Sequence, residues 1–125
     1  MADNVRSFVA GPDPFGRTWE VEFCWLQNAI SIRHADAVDV KFRMRTGEER
    51  QEKVIALDHP SLLEIVRRGG GKLSDPWCMR LAGMHLKYMV SSFEDMEKTL
   101  VTVPPAELAG YARALDGASA ALLHN

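Results

Sequence analysis

The sequence predicts an α+β domain: a meander of four to five antiparallel strands, then three to four helices packed on one face of the sheet. Three observations lead there. Between Thr18 and Leu57, apolar and polar residues alternate with a period of two, in runs separated by short turn-forming segments. From Asp58 onward the spacing becomes helical and does not change back, which separates strands from helices along the chain. The stretch Asp75–Ser92 opens with a helix-start signal, Ser74-Asp75-Pro76, and carries apolar residues on far more than one face.

In chain order, 5–10 reads as a short strand, and Gly11-Pro12-Asp13-Pro14-Phe15-Gly16 as a loop, being dense in turn formers. Asp13 is the sole carboxylate of that loop, too few for a Ca²⁺ site. Thr18–Leu26 alternates strictly, placing Trp19, Val21, Phe23 and Trp25 on one face and Thr18, Glu20, Glu22 and Cys24 on the other. A turn is expected at Gln27-Asn28, a strand over Ala29–His34, a turn at 35–37, a strand over Val38–Arg45, a turn at Thr46-Gly47-Glu48 and a strand over Arg50–Leu57. Connections this short imply antiparallel neighbours.

A short helix follows over Leu62–Arg68, started by Asp58-His59-Pro60-Ser61 and ended by Gly69-Gly70-Gly71. The central helix, 75–92, has an apolar surface much wider than the roughly 100° stripe of a surface helix, so it needs cover on two sides. The sheet supplies one cover. The C-terminal helix, about Ala106–Leu123, or a second copy of the protein supplies the other. Ser91-Ser92-Phe93-Glu94 resembles a capping box, so Phe93–Leu100 is read as a further helix or a bent continuation.

With 125 residues, the chain suits one domain, residues 1–125, able to bury a core without metals or disulfides. A net charge of −2 excludes bulk attraction to nucleic acid or to an anionic membrane, though not local patches. Cys24 and Cys78 both sit in apolar patterns and are read as reduced, buried thiols of a cytoplasmic protein. The N-terminal residues lack a basic segment followed by an apolar one, so no secretory signal is expected. No apolar run approaches the roughly 20 residues of a membrane span.

Chemistry-bearing residues fall into four groups. His85 and Tyr88 on the central helix, with Trp77 at its start and His34 from the sheet, are the candidates for a ligand pocket between sheet and helix. A neutral core histidine with one hydrogen-bond partner is the plainer reading of His85. Arg33, Lys41, Arg43 and Arg45 form a candidate anion-binding set on the polar face of the sheet, interleaved with Glu20, Glu22 and Glu52. Cross-strand charge pairing is the plainer account of that face. Base stacking is not expected there, because the strand aromatics are assigned to the core side. His34, Asp36 and Asp39 are too few and too local for a zinc site without a distant ligand. Arg67-Arg68-Gly69-Gly70-Gly71-Lys72 fails as a phosphate loop: Leu73 stands where Ser or Thr is needed, and the segment joins two helices. No catalytic motif, metal site or cofactor fingerprint is present.

These readings point to a cytoplasmic binding or interaction module that forms homo-oligomers. Whether it is an enzyme is left open by the sequence. A small-molecule-binding protein or enzyme, using His85, Tyr88, Trp77 or His34, is one alternative. A phosphate-contacting nucleic-acid binder using the arginine-rich face is the other, and the charge and aromatic placement argue against it.

Overall fold

The computed structural model describes residues 6–30, 36–69 and 72–124. Their order is β1 (Ser7–Ala10), β2 (Trp19–Ile30), β3 (Asp36–Thr46), β4 (Glu49–Asp58), α1 (His59–Arg67), α2 (Asp75–Ser92), β5 (Leu100–Thr102) and α3 (Pro105–His124). The five strands form one sheet in the order β1-β2-β3-β4-β5. The first four are antiparallel neighbours, and β5 joins β4 in parallel after the α1–α2 crossover. The α+β class and the antiparallel meander are therefore as the sequence predicts, with one parallel pair added.

Three local readings differ: Asp36 and Ala37, expected in a turn, open β3 and pair with Ile30 and Ala29. Gln27-Asn28 is not a turn: both positions stay extended because they pair with Asp39 and Val38 of β3, and β2 runs through to Ile30. The segment after α2 is not helical. Phe93 ends the helix in the left-handed region at φ 62°, Asp95 follows at φ 60°, and the chain then enters β5.

One face of the sheet carries the core. Trp19, Phe42, Met44, Ile55 and Leu57 are fully buried there, against Leu81, Leu86 and Met89 of α2 and Leu62 of α1. Burying each such side chain stabilises the fold by roughly 1.5–3 kcal/mol. Ser74 caps α2 by accepting from the Trp77 N–H, and Asp58 caps α1 by accepting from the Ser61 N–H at 3.0 Å. The second cover for α2 is α3, which packs on both α1 and α2 and buries Leu108 and Ala112. The wide apolar surface of α2 is thus covered within one chain.

The β1–β2 loop is organised by Asp13, whose side chain is inaccessible to solvent. Its Oδ1 accepts from the Phe15 and Arg17 N–H groups, both at 2.9 Å, and its Oδ2 from Arg17 Nε at 2.9 Å and the Trp19 indole at 3.2 Å. Burial alone would raise the Asp13 carboxyl; these four donors outweigh it and hold the group below the ordinary carboxylate range. Gly11 allows the turn: it sits at φ +120°, and a Cβ there would lie 2.9 Å from the Arg17 carbonyl oxygen.

Candidate binding surface on the second strand

The decisive local event is a bulge in β2. Phe23 pairs with Phe42, but Trp25 pairs with Lys41, so Cys24 is an extra residue with no opposite number. One extra residue reverses the facing of everything after it. Trp25, assigned from the alternation to the core side, therefore lies on the outer face, 37% exposed, with Lys41 Nζ 5.9 Å from its ring centroid. Leu26 takes the core side instead. The signal was present in the sequence: Phe23-Cys24-Trp25-Leu26 is an unbroken apolar run and cannot alternate.

The outer face is crossed by rows of paired positions. Val9, Glu20, Arg45 and Arg50 form one row, and Ser7, Glu22, Arg43 and Glu52 the next. Then come Trp25, Lys41, Val54 and Leu100. Arg45 pairs with Glu20, Arg43 with Glu22 at 3.5 Å and Glu52 at 3.8 Å, and Lys41 with Glu52 at 2.9 Å. The Lys41 ammonium holds the Glu52 carboxyl below its usual range. Three of the sheet's cations are thus engaged by carboxylates. Arg50, not singled out from the sequence, stands directly across from Arg45 without an acidic partner among the described residues, beside a shallow hollow of about 370 Å³. Arg33 lies outside the described residues.

Of the candidate pocket residues, His85 and Tyr88 lie side by side and Trp77 does not join them. Trp77 and His85 are both buried on α2, but eight residues apart, about 12 Å along the axis. His34 lies outside the described residues. His85 faces α3: its Nδ1 is 2.8 Å from the Tyr111 hydroxyl, and its ring centroid is 5.8 Å from that of Tyr88. Burial lowers the His85 pKa, against the pull of Glu107, Asp95 and Glu94, and pushes Tyr111 up to about 12. Tyr88 is exposed and donates to Glu94. The geometry makes His85–Tyr111 a clamp between α2 and α3. The Trp77 indole N–H is buried without an acceptor among the described residues.

Hollows between sheet and central helix do exist, with other walls. One of about 390 Å³ is lined by Arg6, Phe23, Trp25, Leu26, Asp75, Pro76 and Met79. A smaller one of about 110 Å³ shares Leu26 and Asp75 with it and reaches Val38, His59 and Cys78. Together they make a groove beside the far half of β2. Cys78 and Cys24 are unbonded, and burial pushes the Cys78 thiol up to about 11, so it stays protonated.

The same half of β2 has a bare edge. β1 pairs with residues 19–22, and among the described residues the last backbone contact on that side is the Phe23 N–H donating to the Arg6 carbonyl at 2.7 Å. From Trp25 to Ile30, among the described residues, β2 is paired on the β3 side alone. No known family matches this chain, and no curated protein or solved structure is detectably similar to it. Among the described residues, no helix is long and apolar enough to cross a membrane.

Proposed function

We propose that the chain is a cytoplasmic interaction module that takes an extended protein segment onto the open edge of β2, with the neighbouring groove receiving the segment's apolar side chains. The observation that carries this reading is the mismatch in length between β1 and β2. It leaves Trp25–Ile30 with an open edge among the described residues, next to Phe23, Leu26, Pro76 and Met79. An extended segment added to such an edge gains main-chain hydrogen bonds, and its alternate side chains fill the adjoining hollow. The two unbonded thiols support a reducing compartment. The test is a photo-crosslinking amino acid at Gln27, compared with one at the exposed Arg80 of α2, in cells. Protein adducts at position 27 and none at position 80 are expected. Absence of adducts at position 27 contradicts the reading.

A second reading is favoured by the Arg45–Arg50 juxtaposition and by the outward Trp25: a polyanion, such as single-stranded nucleic acid, lying on the outer face. Phosphate contacts make affinity fall steeply with salt. No binding of a labelled oligonucleotide at low salt removes this reading.

A further inference from the structure

We propose that the hollow on the outer face beside Arg43, Arg45 and Arg50 is a binding site for a small molecule carrying one phosphate monoester group. The site lies apart from the far half of β2 and does not depend on the docking reading. It shares the outer face with the polyanion reading but takes a different ligand. Three observations carry it.

The first is an uncompensated charge. Arg50 stands directly across from Arg45 in the β3–β4 register, and like charges in opposite positions repel. Arg45 meets Glu20 through Nη2, and Arg43 meets Glu22 and Glu52. Arg50 is exposed and has no carboxylate partner among the described residues. A guanidinium stays charged at every working pH and offers five N–H donors in a flat fork that matches phosphate oxygens. An oxyanion seated between Arg45 and Arg50 removes their repulsion and accepts charge-assisted hydrogen bonds from both.

The second is the hollow itself. It measures about 370 Å³, and Ser7, Glu20 and Glu22 line it with the three arginines. Its walls hold three guanidinium groups against two carboxylates, an excess of one positive charge. Small-molecule sites run from roughly 300 to 1,000 Å³. The space therefore takes a phosphate together with a small carbon skeleton esterified to it.

The third is what surrounds the arginines. Across the sheet, Glu20 precedes the Arg45–Arg50 pair, and the next row sets Arg43 between Glu22 and Glu52. The positive spot is two strands wide, roughly 5 Å. A chain of phosphates crossing it runs onto Glu20, Glu22 or Glu52, whereas a single phosphate does not. The flanking carboxylates thus select a compact ligand over a polyanion.

The test is an NMR titration of the full chain at constant ionic strength, read from backbone amide shifts. The probes are glycerol 3-phosphate, inorganic phosphate and a short oligodeoxythymidylate. Glycerol 3-phosphate is expected to give saturable shifts confined to the strands around the hollow, with a Kd of about 1 mM or lower. Arg50→Gln should weaken it at least about tenfold, as the loss of hydrogen bonds to a charged group does. Arg50→Lys keeps the charge and loses the fork, so it should fall between the two. Arg67→Gln removes an exposed cation of α1 and should change nothing. The amide spectra also show that each variant is folded. Shifts that do not saturate, or an Arg50→Gln variant that binds as the wild type does, overturn the proposal. Binding of inorganic phosphate without binding of glycerol 3-phosphate overturns the monoester, leaving an ion site only. An oligonucleotide that displaces glycerol 3-phosphate and loses its affinity in Arg50→Gln overturns the compact ligand and leaves the polyanion reading standing. No binding of any probe overturns both, with the docking reading of β2 untouched.

Discussion

The two edges of the sheet are finished in opposite ways. On the β5 side, three residues pair in parallel with Val54–Ala56, and Pro104-Pro105 follow after Val103. The loop leading in is fastened from below by Lys53, which is buried and donates to the carbonyl oxygens of Met96, at 2.5 Å, and Lys98. That edge is short, proline-stopped and clamped. On the other side, among the described residues, β1 has four residues and β2 twelve, and the part of β2 that runs past β1, Trp25–Ile30, carries no charge. The bulge at Cys24 belongs to the same difference, because it sits where β1 stops and turns Trp25 outward.

The largest effect that can break this comparison is at Lys53. Burial lowers its pKa, while Glu97 and Asp95 act in the opposite direction. Lys53→Met leaves two carbonyl groups without their donor, which costs roughly 2–5 kcal/mol. Urea unfolding should show that loss, and the β5 amides should exchange faster, with crosslinking of the folded protein at position 27 unchanged. A variant as stable as wild type would mean the β5 edge is not clamped.

Next in size is the helix layer behind the sheet. Tyr111→Phe removes the hydroxyl that meets His85 and should cost about 0.5–1.5 kcal/mol at neutral pH. The folded His85 pKa lies below its unfolded value of 6.5 because the ring is buried. The unfolded chain therefore binds the extra proton first as pH falls. Stability contributed by the neutral ring is fully present above about pH 6.5 and is lost below it, down to the folded pKa. Thermal melts between pH 7 and 5 should show this slope, and His85→Asn should flatten it. Association through β2, whose open stretch has no titrating group, should not follow the same slope.

A smaller effect is expected at Trp25. Trp25→Ala removes its contact with Lys41, worth about 0.5–1 kcal/mol of stability, and should weaken association by more than it weakens the fold. Paired urea and crosslinking measurements separate the two. The smallest is at Arg50. Removing a cation that faces Arg45 should change stability by less than about 0.5 kcal/mol in either direction. A large loss would show that Arg50 holds something on the outer face.

Much of this architecture was legible in the residues. The helix starts at Asp58 and Ser74, the strict alternation of β3 and β4, and the two-sided burial of α2 follow from patterns that local chemistry imposes. What escaped was non-local. Gln27-Asn28 has turn-forming residues, but pairing with β3 decides the backbone there. β5 was hidden by the capping pattern at Ser91–Glu94, although Thr99-Leu100-Val101-Thr102-Val103 is rich in strand-forming residues. The pocket residues His85 and Trp77 were grouped by type, and the helical rise keeps them apart. The surplus apolar surface of α2, which suggested cover by a second copy, is met by α3 within the chain.

The measurement that bears most directly on the β2 edge is amide hydrogen exchange across Trp25–Ile30, for the protein alone and with the protein captured by crosslinking at position 27. Protection of these amides should rise on binding while that of Leu100–Thr102 stays constant. Protection at Trp25–Ile30 that is the same with and without the captured protein would contradict the docking edge.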